Sequence, residues 1–144
     1  MSSHFPKRRQ KLSTDWERLI SDHSPYLSAL LAQREDRSFD EVLQQAEKSL
    51  RQKTTTEDVM AILRQSKQKI ALLTAIADLK KEWDDVTVMA RLSAFADFCV
   101  QAGLKHLLQR ARQEKKIRVD DPQKCGVIVI ALGKWGAHEL NYSS

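Results

Sequence analysis

The sequence predicts a mainly α protein, a helical N-terminal region that leads into one strand. Three observations carry this. Apolar residues recur at three- and four-residue spacing from Trp16 to Ala111. Capping residues punctuate that pattern. At Gly126 the period changes, and Val127-Ile128-Val129-Ile130-Ala131-Leu132 forms a continuous, β-branched apolar run.

The first twelve residues hold a basic run, Lys7, Arg8, Arg9 and Lys11, and one proline. They read as a mobile terminus. A helix is expected from Ser13 or Thr14, with Glu17 three positions after Thr14 as in a capping box. Trp16, Leu19 and Ile20 share its inner face. Ser24-Pro25 reads as an N-cap followed by proline in the first turn. That second helix continues through Leu27, Leu30 and Leu31 to about Gln33. Ser38-Phe39-Asp40-Glu41 repeats the capping pattern, and Val42, Leu43, Ala46 and Leu50 make the next apolar stripe. Lys53-Thr54-Thr55-Thr56 is a polar break.

A long helix is expected from about Glu57 to Lys81, with acidic residues in its first turn. Val59, Ile62, Leu63, Ile70, Leu73, Ile76 and Ala77 mark its inner side, and Arg64, Lys67 and Lys69 its polar middle. A break near Trp83-Asp84 precedes a second long helix, roughly Val86 to Lys115. Its stripe is Leu92, Phe95, Cys99, Leu107 and Ala111. Gly103 interrupts it at a cost of about 1 kcal/mol relative to alanine, which suggests a close helix contact. Asp120-Asp121-Pro122 is a turn. After the strand, Ala137 to Tyr142 suits a short helical turn.

Composition narrows the function classes. The 144 residues are 42% hydrophobic and 30% charged, an ordinary globular balance that argues against disorder. The length suits one domain, or one domain with part of another. No apolar run approaches the roughly 18 residues of a membrane span. The basic run lacks the apolar segment of a secretory signal. Cys99 and Cys125 are the only cysteines, which excludes a four-cysteine metal site and fits a reducing, cytoplasmic compartment. The net charge of +5 favours acidic partners. Yet much of that excess sits in the N-terminal run, and aromatic content is only 6%, which argues against nucleic acid as a partner.

The strand poses a problem. Buried on both faces, it needs neighbours on both edges for its N–H and C=O groups. No second strand is evident in residues 1–120, and a single strand is not an independently stable sheet. Three readings remain open. The chain is a fragment, the run pairs with another molecule, or it is helical after all. The fragment reading is preferred.

Gly133-Lys134-Trp135-Gly136 follows the strand directly. Such a turn can present backbone N–H groups and the Lys134 ammonium to a phosphate, or it can be a plain tight turn. It is not a P-loop, because the spacing and the terminal Lys-Ser/Thr are absent. His138-Glu139 lacks the second histidine of a zinc helix. The acidic clusters Glu82, Asp84 and Asp85, and Asp120 and Asp121, fit helix and turn boundaries better than a metal site.

Read as a whole, Ile130 through Ser144 resembles the bifunctional glutamine synthetase adenylyltransferase/adenylyl-removing family of bacteria. That family carries a strand, then Ala-Leu-Gly-Lys-Leu-Gly-Gly-Arg-Glu-Leu-Asn-Tyr-Ser-Ser, then Asp-x-Asp. The Glu-Leu-Asn-Tyr-Ser-Ser form resembles the first, deadenylylating, of its two nucleotidyltransferase domains. Ser24-Pro25-Tyr26-Leu27 and the Ala61 to Leu79 stretch resemble the family's helical N-terminal region. Trp135 departs from the usual leucine, and Ala137-His138 from Gly-Arg. As a phosphate partner, His138 is weaker than arginine and dependent on pH.

The resemblance implies a DNA polymerase β-like α/β nucleotidyltransferase domain. Its boundaries here would be a mobile terminus at 1–12, a helical region at 13–119 and the start of a truncated nucleotidyltransferase domain at 120–144. Gly133, Lys134, Ser143 and Ser144 would face nucleotide or phosphate. The intact enzyme would use Mg²⁺ with ATP, ADP and phosphate, and its partners would be glutamine synthetase and a PII signal protein. The Asp-x-Asp that holds the metal is expected after Ser144. The chain by itself is therefore expected to bind no metal or cofactor and to have no catalytic residue of its own. Two other readings compete: a non-catalytic helical interaction module, and a basic nucleic-acid-binding helical protein.

Overall fold

The computed structural model describes residues 15–52, 55–118 and 124–142. The basic run, the Ser13/Thr14 helix start, Lys53-Thr54 and the Asp120-Asp121-Pro122 turn lie outside them. Six helices follow in order among the described residues: α1 (Asp15–His23), α2 (Pro25–Leu31), α3 (Phe39–Gln52), α4 (Thr56–Leu79), α5 (Asp85–Gln113) and the single turn α6 (Gly133–Gly136). The chain is mainly α, as its sequence predicts.

The caps explain where the helices begin. Ser24 Oγ accepts from the Leu27 N–H at 3.2 Å, with Pro25 in the first turn. Ser38 and Glu41 close a reciprocal capping box. The Ser38 N–H donates to Glu41 Oε2 at 2.7 Å, and the Glu41 N–H donates to Ser38 Oγ at 3.3 Å. Thr55 caps α4 through the Asp58 N–H, and Asp84 caps α5 through the Thr87 N–H at 2.8 Å.

Three helices end alike. Lys81, Lys115 and His138 sit in left-handed backbone at φ 59°, 57° and 58°. Each N–H bonds back three residues, to Asp78, Arg112 and Trp135, and the next N–H bonds back five, to Ala77, Ala111 and Lys134. This is the Schellman closure, built here without glycine.

Helix α4 is the hub, because it is buried on two faces. On one side Phe39, Val42, Ile70 and Phe95 join α3, α4 and α5 in a core flanked by Leu43, Leu73, Trp83, Phe98 and Cys99. On the other, Ile20, Leu72 and Ile76 join α1 to α4, with Trp16, Leu27, Leu30 and Leu31 around them. A single-stripe reading of α4 therefore misses Leu72, Thr74 and Ala75, all buried. Arg91 lies over the rings of Phe39 and Trp83 at 4.9 and 5.4 Å and pairs with Asp40 at 3.0 Å, which covers this core from outside.

The structure departs from the sequence expectations in three places. Residues 127–132 adopt neither helix nor paired strand, and no strand exists among the described residues. The run lies open instead, with Ile128, Ile130 and Leu132 exposed at 81%, 76% and 80%. The physical reason is the one the sequence already raises: β propensity cannot build a sheet without a neighbouring strand. A Cβ placed on Gly103 would meet nothing within 4 Å, so no close helix contact explains this glycine. The C-terminal half of α5 is thinly covered, and Leu107, read as part of the stripe, is 56% exposed.

Candidate functional site: the turn at residues 133–142

The motif-bearing segment is built on one tight reversal. Leu132 is extended, and Gly133 then takes φ 62°, a conformation that favours glycine. The chain closes one helical turn, with the Ala137 N–H donating to the Gly133 carbonyl at 3.0 Å. Gly136 passes directly against the preceding chain. A Cβ there would stand 2.5 Å from the Ala131 carbonyl oxygen. Both glycines are thus required by the turn itself. The helical turn expected at Ala137 to Tyr142 occurs earlier, at Gly133–Gly136. His138 ends it in the left-handed position.

Three hydrogen bonds fasten this segment to the long helices. Trp135 Nε1 donates to Asp97 Oδ1 of α5 at 2.8 Å. The Leu140 N–H donates to Ser93 Oγ, also on α5, at 3.4 Å. Tyr142 Oη donates to Asp78 Oδ2 of α4 at 3.4 Å. Partial burial and the Asp78 carboxylate push the Tyr142 phenol above its ordinary range. Sequence reasoning missed Asp97, Ser93 and Asp78 as partners, because they lie 38, 47 and 64 residues away. The one local clue is Trp135, whose indole N–H needs an acceptor.

The structure brings Gly133 and Lys134 together at the start of α6. Lys134 is exposed and makes no ion pair among the described residues. Ser143 and Ser144 lie outside the described residues. The carboxylates that Trp135 and Tyr142 reach, Asp97 and Asp78, are occupied as hydrogen-bond acceptors. Among the described residues no three His, Cys, Asp or Glu side chains gather to hold a metal ion. The donor set for Mg²⁺ is therefore not met by these residues, and no step through the metal is derived from them. What the turn offers is an exposed ammonium beside a backbone shaped by glycine.

Elsewhere, Thr56 Oγ1 bridges α4 to α5. It lies 3.1 Å from His106 Nε2 and accepts from Arg110 at 2.9 Å. Cys99 and Cys125 are free and half-buried. Burial pushes the Cys99 thiol up to about 11, which makes it a packing residue rather than a nucleophile. No helix among the described residues is long and apolar enough to cross a membrane.

Comparison with known proteins agrees with the motif. The family model described as glutamate-ammonia ligase adenylyltransferase matches residues 12–144. The bifunctional glutamine synthetase adenylyltransferase/adenylyl-removing enzyme of Bradyrhizobium sp. (strain ORS 278) is 34% identical over 155 residues, covering 94% of this chain and 16% of that protein. The enzyme of the same name from Brucella suis biovar 1 is 32% identical over 152 residues, covering 94% of the chain and 15% of its own length. That from Bradyrhizobium sp. (strain BTAi1) is 42% identical over 95 residues, 63% of the chain and 10% of its own length. No solved structure matches. The chain spans about a sixth of the length of the first of these relatives. The ending read in residues 133–142 and the match across residues 12–144 together place this chain in the glutamate-ammonia ligase adenylyltransferase family.

Proposed function

We propose that these residues serve an enzyme that controls nitrogen assimilation by modifying glutamine synthetase, and that they belong to its adenylyl-removing half. In this reading residues 13–119 are the helical region, and residues 120–144 open the nucleotidyltransferase domain. The run 127–132 becomes a strand when sheet neighbours are present. The supporting observation is the Gly133-Lys134 turn, held against α4 and α5 directly before Glu139-Leu140-Asn141-Tyr142.

The chemistry assigned to the family is removal of AMP from a glutamine synthetase tyrosine by phosphorolysis, with AMP addition in the opposite half. Mg²⁺, when bound by the Asp-x-Asp carboxylates, supplies charge neutralisation at phosphate. The contribution of this chain is to bind and orient. Lys134 adds a positive charge at the phosphate, the Gly133 backbone permits close approach, and Trp135 and Tyr142 fix the turn on the helices. Ser143 and Ser144 complete the phosphate-facing segment. Glutamine synthetase is the protein substrate, a PII protein the signalling partner and the cytoplasm the setting. The 144 residues alone have neither activity.

A chimera tests this. Residues 12–144 replace the matching segment of the Brucella suis relative, and release of AMP from adenylylated glutamine synthetase is followed alongside AMP addition. The chimera is expected to retain both. Lys134→Ala should lower AMP removal about 100-fold, the low end of the range for losing one charge-stabilising donor, and leave addition unchanged. Unaltered AMP removal in Lys134→Ala would overturn the assignment of Lys134. Release of AMP by the isolated 144 residues would overturn their proposed inactivity.

A further inference from the structure

A cavity of about 340 Å³ opens between the α2–α3 connection and the middle of α4, far from the Gly133 turn in sequence. Its floor is aliphatic, from Leu30, Val42 and Leu72. Three cations line it, Arg34, Arg37 and Lys69, against one carboxylate, Glu35. Lys69 Nζ lies 3.0 and 2.9 Å from the two Glu35 oxygens, and Arg37 Nε lies 2.9 Å from one of them. Arg34 has no carboxylate partner among the described residues and rests 5.6 Å over the Trp16 ring. The carboxamides of Gln65 and Gln68 also face the cavity, and the structure gives them no hydrogen bond to the described residues.

We propose that this cavity binds a small dicarboxylate and that Glu35 is its resident competitor. The proposal goes beyond the nucleotidyltransferase reading and does not depend on it. Two features favour a carboxylate. Lys69 Nζ already donates to both oxygens of one carboxylate, and the Arg37 guanidinium adds its charge as an ion pair to one of them. Once Glu35 is displaced, three cations face the ligand, and a dicarboxylate offsets two of their charges where a monocarboxylate offsets one. One ligand carboxylate takes the place of Glu35, the other reaches Arg34, and the short aliphatic link lies on Leu30, Val42 and Leu72. Glu35 sits on an exposed connection, so it can swing into solvent without disturbing the core. An aliphatic floor with a few converging polar groups, in a volume of this size, is the usual form of a small-molecule site.

Isothermal titration of the 144-residue chain with succinate tests the proposal, with inorganic phosphate as the second arm. Saturable succinate binding is expected. Glu35→Gln should tighten it by about tenfold, because a resident competitor reduces apparent affinity by the fraction of time the site is free. Lys69→Ala should abolish it while the helical circular dichroism is retained. Arg37→Gln, at an exposed residue, gives the same reading should Lys69→Ala disturb folding. Three results would overturn the proposal: no saturation in either the wild type or Glu35→Gln, succinate affinity indifferent to Glu35→Gln, or phosphate binding as tightly as succinate.

Discussion

Glu114 shows how much one side chain at a helix end depends on pH. Hydrogen bonds from Lys116 and Arg110, at 2.6 and 2.7 Å, and their charges hold its carboxyl down at about 2. A folded value below the unfolded one means that its contribution is present above about pH 4.5 and is lost as pH falls toward 2. The end of α5 should therefore fray over that window, and less visibly in high salt, where the exposed pair is already screened. Amide chemical shifts of residues 110–116 would report it. Tyr142 behaves oppositely. Its phenol is raised above the ordinary 10, so its contribution is present below about pH 10 and is lost as pH rises further. Loss of the Tyr142–Asp78 bond should register in alkaline titration before the helices melt. Gly136→Ala places a Cβ 2.5 Å from the Ala131 oxygen. It should cost the turn about 1–3 kcal/mol, seen as faster amide exchange at residues 136–140 with α4 unaffected.

At the level of elements, the sequence was most legible where a helix begins. Ser24-Pro25 and Ser38 with Glu41 encode their caps within four residues, and the structure bears them out, while Asp84, read only as part of a break, proves to be the cap of α5. Ser38→Ala should lower stability by about 0.5–2 kcal/mol in denaturant titration, because the Oγ that accepts the Glu41 N–H is lost while the backbone arm to the Glu41 carboxylate stays. Helix ends were less legible. Lys81 and Lys115 carry no glycine to announce a left-handed stop, and their charge beside the helix C-terminus compensates part of the strain. Lys81→Gly should raise stability by about 0.5–1 kcal/mol. The second buried face of α4 was also hidden. Leu72 and Ile76 face α1 while Ile70 faces α3, so the buried set surrounds the helix and no single stripe identifies it.

The whole molecule is a helical assembly that carries an unsatisfied apolar run. The segment 127–132 has the composition of a strand, and composition is what the sequence displays. Pairing needs a neighbour, and among the described residues none is present. The glycines and Lys134 of the candidate site were legible because they lie within four residues of one another. Asp97, Ser93 and Asp78 were not, because only folding brings them to the turn. An exposed apolar run of this kind should drive association between copies of the isolated chain. Ile128→Lys together with Ile130→Lys should reduce that association in sedimentation velocity and change helix stability by less than about 0.5 kcal/mol, since both positions are exposed.

The three glycine-free helix stops also bear on handedness. At Lys81 and Lys115 the backbone follows a path that a D-amino acid takes without strain. Replacing either residue by D-lysine would keep the ammonium group and the hydrogen bonds and reverse only the chirality of one carbon. Glycine at the same site also loosens the unfolded chain, and D-lysine does not. The mirror-image residue should therefore stabilise the helix end more than glycine does, and the difference between the two would isolate backbone strain from charge at these stops.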